Sequence, residues 1–83
     1  MSKKFHLECI TDDSYDLIDG GTGRQVAVIW SGGSTAATRW SAQPPGAYAP
    51  RHADFAFGYS PMACAHAALK FLSVTDYRLI ELG

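Results

Sequence analysis

Alternation broken by glycine turns is what most limits how this chain can fold. From Arg24 to Trp30, Val26, Val28 and Trp30 fall on one side and Ala27 and Ile29 on the other. That period of two is a strand signal. Just before it, DGGTG (19–23) places three glycines where a hairpin turn demands positive φ. Upstream, Phe5, Leu7 and Cys9 alternate with His6 and Glu8, and Tyr15 shares a face with Leu17. TDDS (11–14) separates these two stretches as a polar turn. SGGST (31–35) is a second glycine turn, and Ala36 to Ala42 reads as the next arm.

The segment QPPGAYAPRHAD (43–54) breaks this pattern. Pro44, Pro45 and Pro50 lack the N–H that a central strand needs, so the segment must run over the surface. A connection this long in a small domain is functional or disordered. Tyr48, Arg51 and His52 stand on it, on a stretch stiffened by proline. Phe55, Phe57 and Tyr59 then alternate briefly. Ser60-Pro61 is a helix start, because serine caps free N–H groups and proline suits the first helical position. The spacing predicts a helix over 61–72 that buries Met62, Ala65, Leu69 and Leu72, a stripe widened by Ala68 and Phe71, with His66 and Lys70 on the opposite face. Tyr77 to Leu82 alternates again as a terminal strand.

The expected architecture is therefore α+β: an antiparallel sheet of four to five strands, in the order ββββ-α-β, with one helix on one face. Eighty-three residues make one domain, 1–83. At 47% hydrophobic and 18% charged the chain is globular, not disordered. MSKKFHLECI has charges where a secretory leader has an apolar core, and no apolar run nears the ~20 residues of a membrane span. Both point to the cytoplasm, no membrane, and Cys9 and Cys64 as reduced, buried thiols.

The residues offer little for catalysis. Ser60 lies in GYSPM, not in G-x-S-x-G, and the proline after it removes an N–H that an oxyanion hole would use. His6, His52, His66, Cys9 and Cys64 show no zinc spacing. The glycine turns precede no lysine and helix, so the phosphate-loop pattern fails. The reading is a non-enzymatic protein with no cofactor and no metal.

Charge supplies the binding hypothesis. Net charge is −1, so no global attraction to nucleic acid exists. Locally, Glu8, Asp12, Asp13, Asp16 and Asp19 put five acids into twelve residues with no Lys or Arg between them. Asp12, Asp13, Asp16 and Asp19 would steer a protein partner with a basic surface, and Tyr48, Arg51 and His52 would give specificity. The alternatives are a small nucleic-acid-binding module that stacks bases on Trp30 and Trp40, or a metal-free adaptor. Where the two tryptophans point discriminates: buried favours protein binding, exposed and ringed by arginine favours nucleic acid.

The hairpin YDLIDGGTGRQVAVIW, the strand TRWSA and the helix SPMACAHAALKFL give a layout that resembles small α+β proteins of phages and mobile elements, type I anti-CRISPR proteins among them. These share layout and no common motif, so no site residue carries over. The resemblance implies an inhibitor that blocks a type I CRISPR effector complex by surface contact in the host cytoplasm.

Overall fold

The computed structural model describes residues 3–31, 39–45 and 54–82. Their elements are β1 (Lys3–Thr11), β2 (Ser14–Asp19), β3 (Gln25–Ser31), β4 (Trp40–Gln43), β5 (Ala56–Gly58), α1 (Pro61–Phe71) and β6 (Tyr77–Leu82). All six strands join one sheet in the order β5-β4-β3-β2-β1-β6.

This is an α+β domain with one helix, as the alternation predicts, but two features differ. The sheet has six strands, because β5 pairs with β4 over only three residues, Ala56 to Gly58. And it is mixed: β1 to β5 pair antiparallel, whereas β6 lies parallel to β1 with Phe5 opposite Leu79. The cause is the helix. Up-and-down pairing leaves β5 running the same way as β1. Gly58 at the end of β5 abuts Ala63 and Cys64, and Phe55 before β5 stacks on Phe71 at 5.1 Å, so α1 runs back along β5. One reversal by the helix sends β6 off in the direction of β1, on the far edge. A parallel neighbour needs such a crossover.

The helix also sets the curvature. Six strands at about 4.8 Å span roughly 24 Å. An 11-residue helix is about 16 Å long and about 10 Å wide. Yet α1 packs on β5 at one edge, and His66 Nδ1 meets the Tyr77 hydroxyl of β6 at 2.7 Å. The sheet must curl around the helix to allow both contacts. Its concave side holds the core, where Phe5, Leu7, Leu17, Ala27, Ile29 and Leu69 are buried.

Local chemistry fixes both helix ends. Ser60 is the N-cap: its backbone is extended and its Oγ accepts the Ala63 N–H at 3.1 Å. At the other end the helix stops at Phe71, one position inside the predicted limit, and Leu72 is the cap residue. The Val74 N–H donates to the Leu69 carbonyl and the Ser73 N–H to the Lys70 carbonyl, both at 3.0 Å. That is the Schellman pattern, which places Ser73 in the left-handed region at φ 63. A side chain there costs about 1–2 kcal/mol relative to glycine. Ser73→Gly is therefore expected to stabilise the domain by about 1 kcal/mol in urea melts; a loss of stability would mean that the serine makes a contact of its own.

The buried helix face agrees with the sequence reading at Cys64, Ala65, Ala68 and Leu69 and corrects it at Leu72 and Phe71. Cys64, Ala65, Ala68 and Leu69 are buried, Met62 is half-buried, and Leu72 is 42% exposed. The stripe is turned toward small residues because the helix lies directly on β5. At Gly58 a Cβ would stand 2.7 Å from the Ala63 carbonyl carbon and 2.8 Å from Cys64 Cα.

Both cysteines are free, as expected, but only Cys64 is buried. Cys9 is half-exposed, with its thiol 3.4 Å from the Thr11 carbonyl oxygen, so the expectation that both are core residues fails for Cys9. It stands near the far end of β1, beyond the strand's buried residues Phe5 and Leu7. Burial, and secondarily the charge of Asp54, pushes the Cys64 thiol up from 9.0 to about 12. Below pH 9.0 the thiol is protonated in both states. Above it the unfolded chain releases a proton that the folded chain keeps, so stability falls as pH rises toward about 12. The melting temperature should drop more steeply over that window in the native protein than in Cys64→Ala. Equal slopes would show that Cys64 does not carry the effect.

Candidate functional site

The acids that adjoin in sequence do not form one patch in space. Asp12 and Asp13 are exposed in the turn between β1 and β2. The turn is held by its own backbone and hydroxyls. Asp13 N–H donates to Thr11 Oγ1 at 3.2 Å, Thr11 and Ser14 hydroxyls bond at 3.0 Å, and Ser31 N–H donates to the Asp13 carbonyl at 2.8 Å. These bonds use neither carboxylate. Asp19 lies at the other end of β2, about 20 Å from Asp13 by the rise of six strand residues. Its Oδ1 accepts the Gly21 N–H at 2.8 Å and so shapes the next turn. Asp16 projects from the uncovered face of the sheet, where its Oδ1 accepts from Gln25 Nε2 at 2.8 Å. Of the four aspartates, the structure brings together only Asp12 and Asp13.

Strand register creates a pair that the sequence does not reveal. Glu8 on β1 stands directly opposite Asp16 on β2, on the uncovered face. Like charges opposite one another in a sheet repel. On the helix side, Tyr15 is opposite Cys9 and packs edge-on against Trp40, with ring centroids 5.5 Å apart. Its hydroxyl is held above its ordinary pKa of 10.0, chiefly by burial, then by Cys9, Glu81 and Asp12.

The two tryptophans point to opposite sides. Trp40 packs against the core under the helix. Trp30, opposite Ser14 and Ser41, lies on the face of the sheet away from the helix and is half-buried, and its indole N–H is buried with no partner among the described residues. They form no common platform. Nor do the arginines among the described residues gather. Arg24 follows the glycine turn, Arg78 is the second residue of β6, and Arg39 precedes β4 with its guanidinium 4.1 Å over the Phe57 ring. Arg39 and Phe57 line a cleft of about 490 Å³ with Tyr59 and Ser60, and Tyr59 is 81% exposed. Nothing in the alternation of residues 55–59 signals that cleft; it exists because β5 pairs at the sheet edge.

Tyr48, Arg51 and His52 lie outside the described residues. The two ends of their segment are described, and they are clamped together. Gln43 Nε2 donates to Asp54 Oδ1 at 2.8 Å, and the Phe55 N–H donates to the Ala42 carbonyl at 2.9 Å. Gln43 is buried, so the clamp is sheltered from water.

Among the described residues, no three His, Cys, Asp or Glu side chains gather as a metal ion would require, and no helix is long and apolar enough to cross a membrane. No family model, no curated protein and no solved structure matches the chain.

Proposed function

We propose that this protein acts by contact, as a non-enzymatic inhibitor or adaptor that meets a basic protein surface with the Asp12–Asp13 turn. The observation that carries this reading is the state of that turn. Two adjacent carboxylates are exposed on a backbone already fixed by bonds to Thr11 and Ser31. A preformed turn loses little entropy on binding, and its charges raise the association rate toward a cationic partner. The Gln43–Asp54 clamp supports the second part of the reading, in which Tyr48, Arg51 and His52 supply specificity. A segment with pinned ends presents its side chains at lower entropic cost than a free tether. The separation of Trp30 from Trp40, and of Arg24, Arg39 and Arg78 from one another, favours this reading over base stacking.

The resemblance in layout gives the partner class to test first, a type I CRISPR effector complex in the cytoplasm. Adding the protein to such a purified complex is expected to block its binding to target DNA at near-equal stoichiometry. Asp12→Asn with Asp13→Asn should slow association about tenfold at low salt. Full DNA binding by the complex at saturating protein would remove that partner class. Retarded migration of DNA by the protein alone would favour the nucleic-acid reading instead.

A further inference from the structure

We infer that the protein pairs with a second copy of itself through the uncovered face of β6, β1 and β2. The evidence is a charge pattern that only strand register reveals. On that face Lys4 of β1 stands beside Arg78 of β6, a pair of cations. Four residues along β1, about 13 Å away, Glu8 stands opposite Asp16, a pair of anions. Each pair repels within one molecule. Midway between them is His6, with Ile18 on one side and Ile80 on the other. The face thus reads as cationic row, apolar row, anionic row.

Such a face is complementary to itself. A twofold axis through His6, lying between two stacked sheets and perpendicular to the strands, reverses the order of the rows. Lys4 of one copy then meets Glu8 of the other, and Arg78 lies over Leu82 with Glu8 next to it. The apolar rows coincide, so Ile18 and Ile80 pack on their counterparts. Both repulsions become attractions across the interface, which is what a closed twofold contact allows.

The surface is available. Lys4, Glu8, Arg78, Ile80 and Leu82 are all exposed, the last two at 41% and 43%. Because the sheet curls toward its helix, this face is convex, and two copies touch along a strip about three strands wide. That lies at the small end of specific interfaces, so the dimer is a reversible one. It uses a surface different from the Asp12–Asp13 turn and leaves one such turn at each end of the pair.

Sedimentation equilibrium from low micromolar to near-millimolar chain tests the inference. The native protein should pass from monomer to dimer. Lys4→Glu with Arg78→Glu should be monomeric throughout, and so should Glu8→Lys. Mixing the two variants should restore a dimer, since every glutamate of the first then meets a lysine of the second. A native protein that stays monomeric, variants that still dimerise, or a mixture that stays monomeric would each overturn it. Circular dichroism checks that the variants fold. Should either fail to fold, zero-length carbodiimide coupling of mixed light and heavy native protein decides: a Lys4–Glu8 link joining a light to a heavy chain supports the pairing, and its absence refutes it.

Discussion

Gly58→Ala is expected to cost about 3 kcal/mol, the upper end of ordinary overpacking. The reason is space, not conformation. Gly58 does not occupy the left-handed region, but the position of its missing Cβ is already claimed by the backbone of Ala63 and Cys64. A flexible side chain could swing aside; a helix backbone cannot. Either the first turn of α1 lifts from β5 or β5 leaves the sheet edge. Both expose Cys64, so its thiol should become reactive in the folded variant. Gly23→Ala makes a useful contrast, because a Cβ there meets nothing within 4 Å and only the positive φ of 75 resists it. If Gly58→Ala melts like the native protein, the close seating of the helix is wrong.

Leu69→Ala is the second large effect, with an expected loss of about 2–5 kcal/mol. Leu69 is fully buried, and its carbonyl also receives the Val74 N–H that closes the helix end. For a domain of this size the loss is comparable to the whole stability. Leu72→Ala should stay within about 1 kcal/mol, since that side chain is 42% exposed. Urea melts of the pair distinguish the observed helix face from the one that hydrophobicity alone predicts. Equal losses would restore Leu72 to the core.

The contrast between those two leucines shows what the residues could and could not reveal. The Ser60-Pro61 start was legible because capping is local chemistry, and the DGGTG turn was legible as a glycine turn, although of its three glycines only Gly23 takes the positive φ expected of them. The buried face of the helix was legible at Ala65, Ala68 and Leu69, and not at its C-terminal end. Spacing places Leu72 and Leu69 on one stripe, but Leu72 is the C-cap, past the last helical residue, and is 42% exposed. β5 pairs over only three residues, too few for alternation to fix its boundaries. The parallel pairing of β6 depends on the helix reversing the chain, which no stretch of sequence encodes by itself.

The site divides the same way. Asp12 and Asp13 could be recognised as an acidic turn from TDDS. That Asp16 and Asp19 would separate from them follows from strand geometry, where alternate residues change face and each residue adds about 3.3 Å. The pairing of Glu8 with Asp16, and of Lys4 with Arg78, needed the register, because those partners lie eight and seventy-four positions apart.

If Asp12 and Asp13 recruit a basic protein partner, as proposed, capture of that partner must depend on their charge. Quantitative affinity capture from extract of the native host tests it most directly, comparing the native chain with Asp12→Asn/Asp13→Asn at low and high salt. The expected result is a partner with a cationic surface that is enriched by the native chain, depleted about tenfold or more by the double substitution, and released as salt rises. Identical capture by both chains, with no dependence on salt, would contradict it.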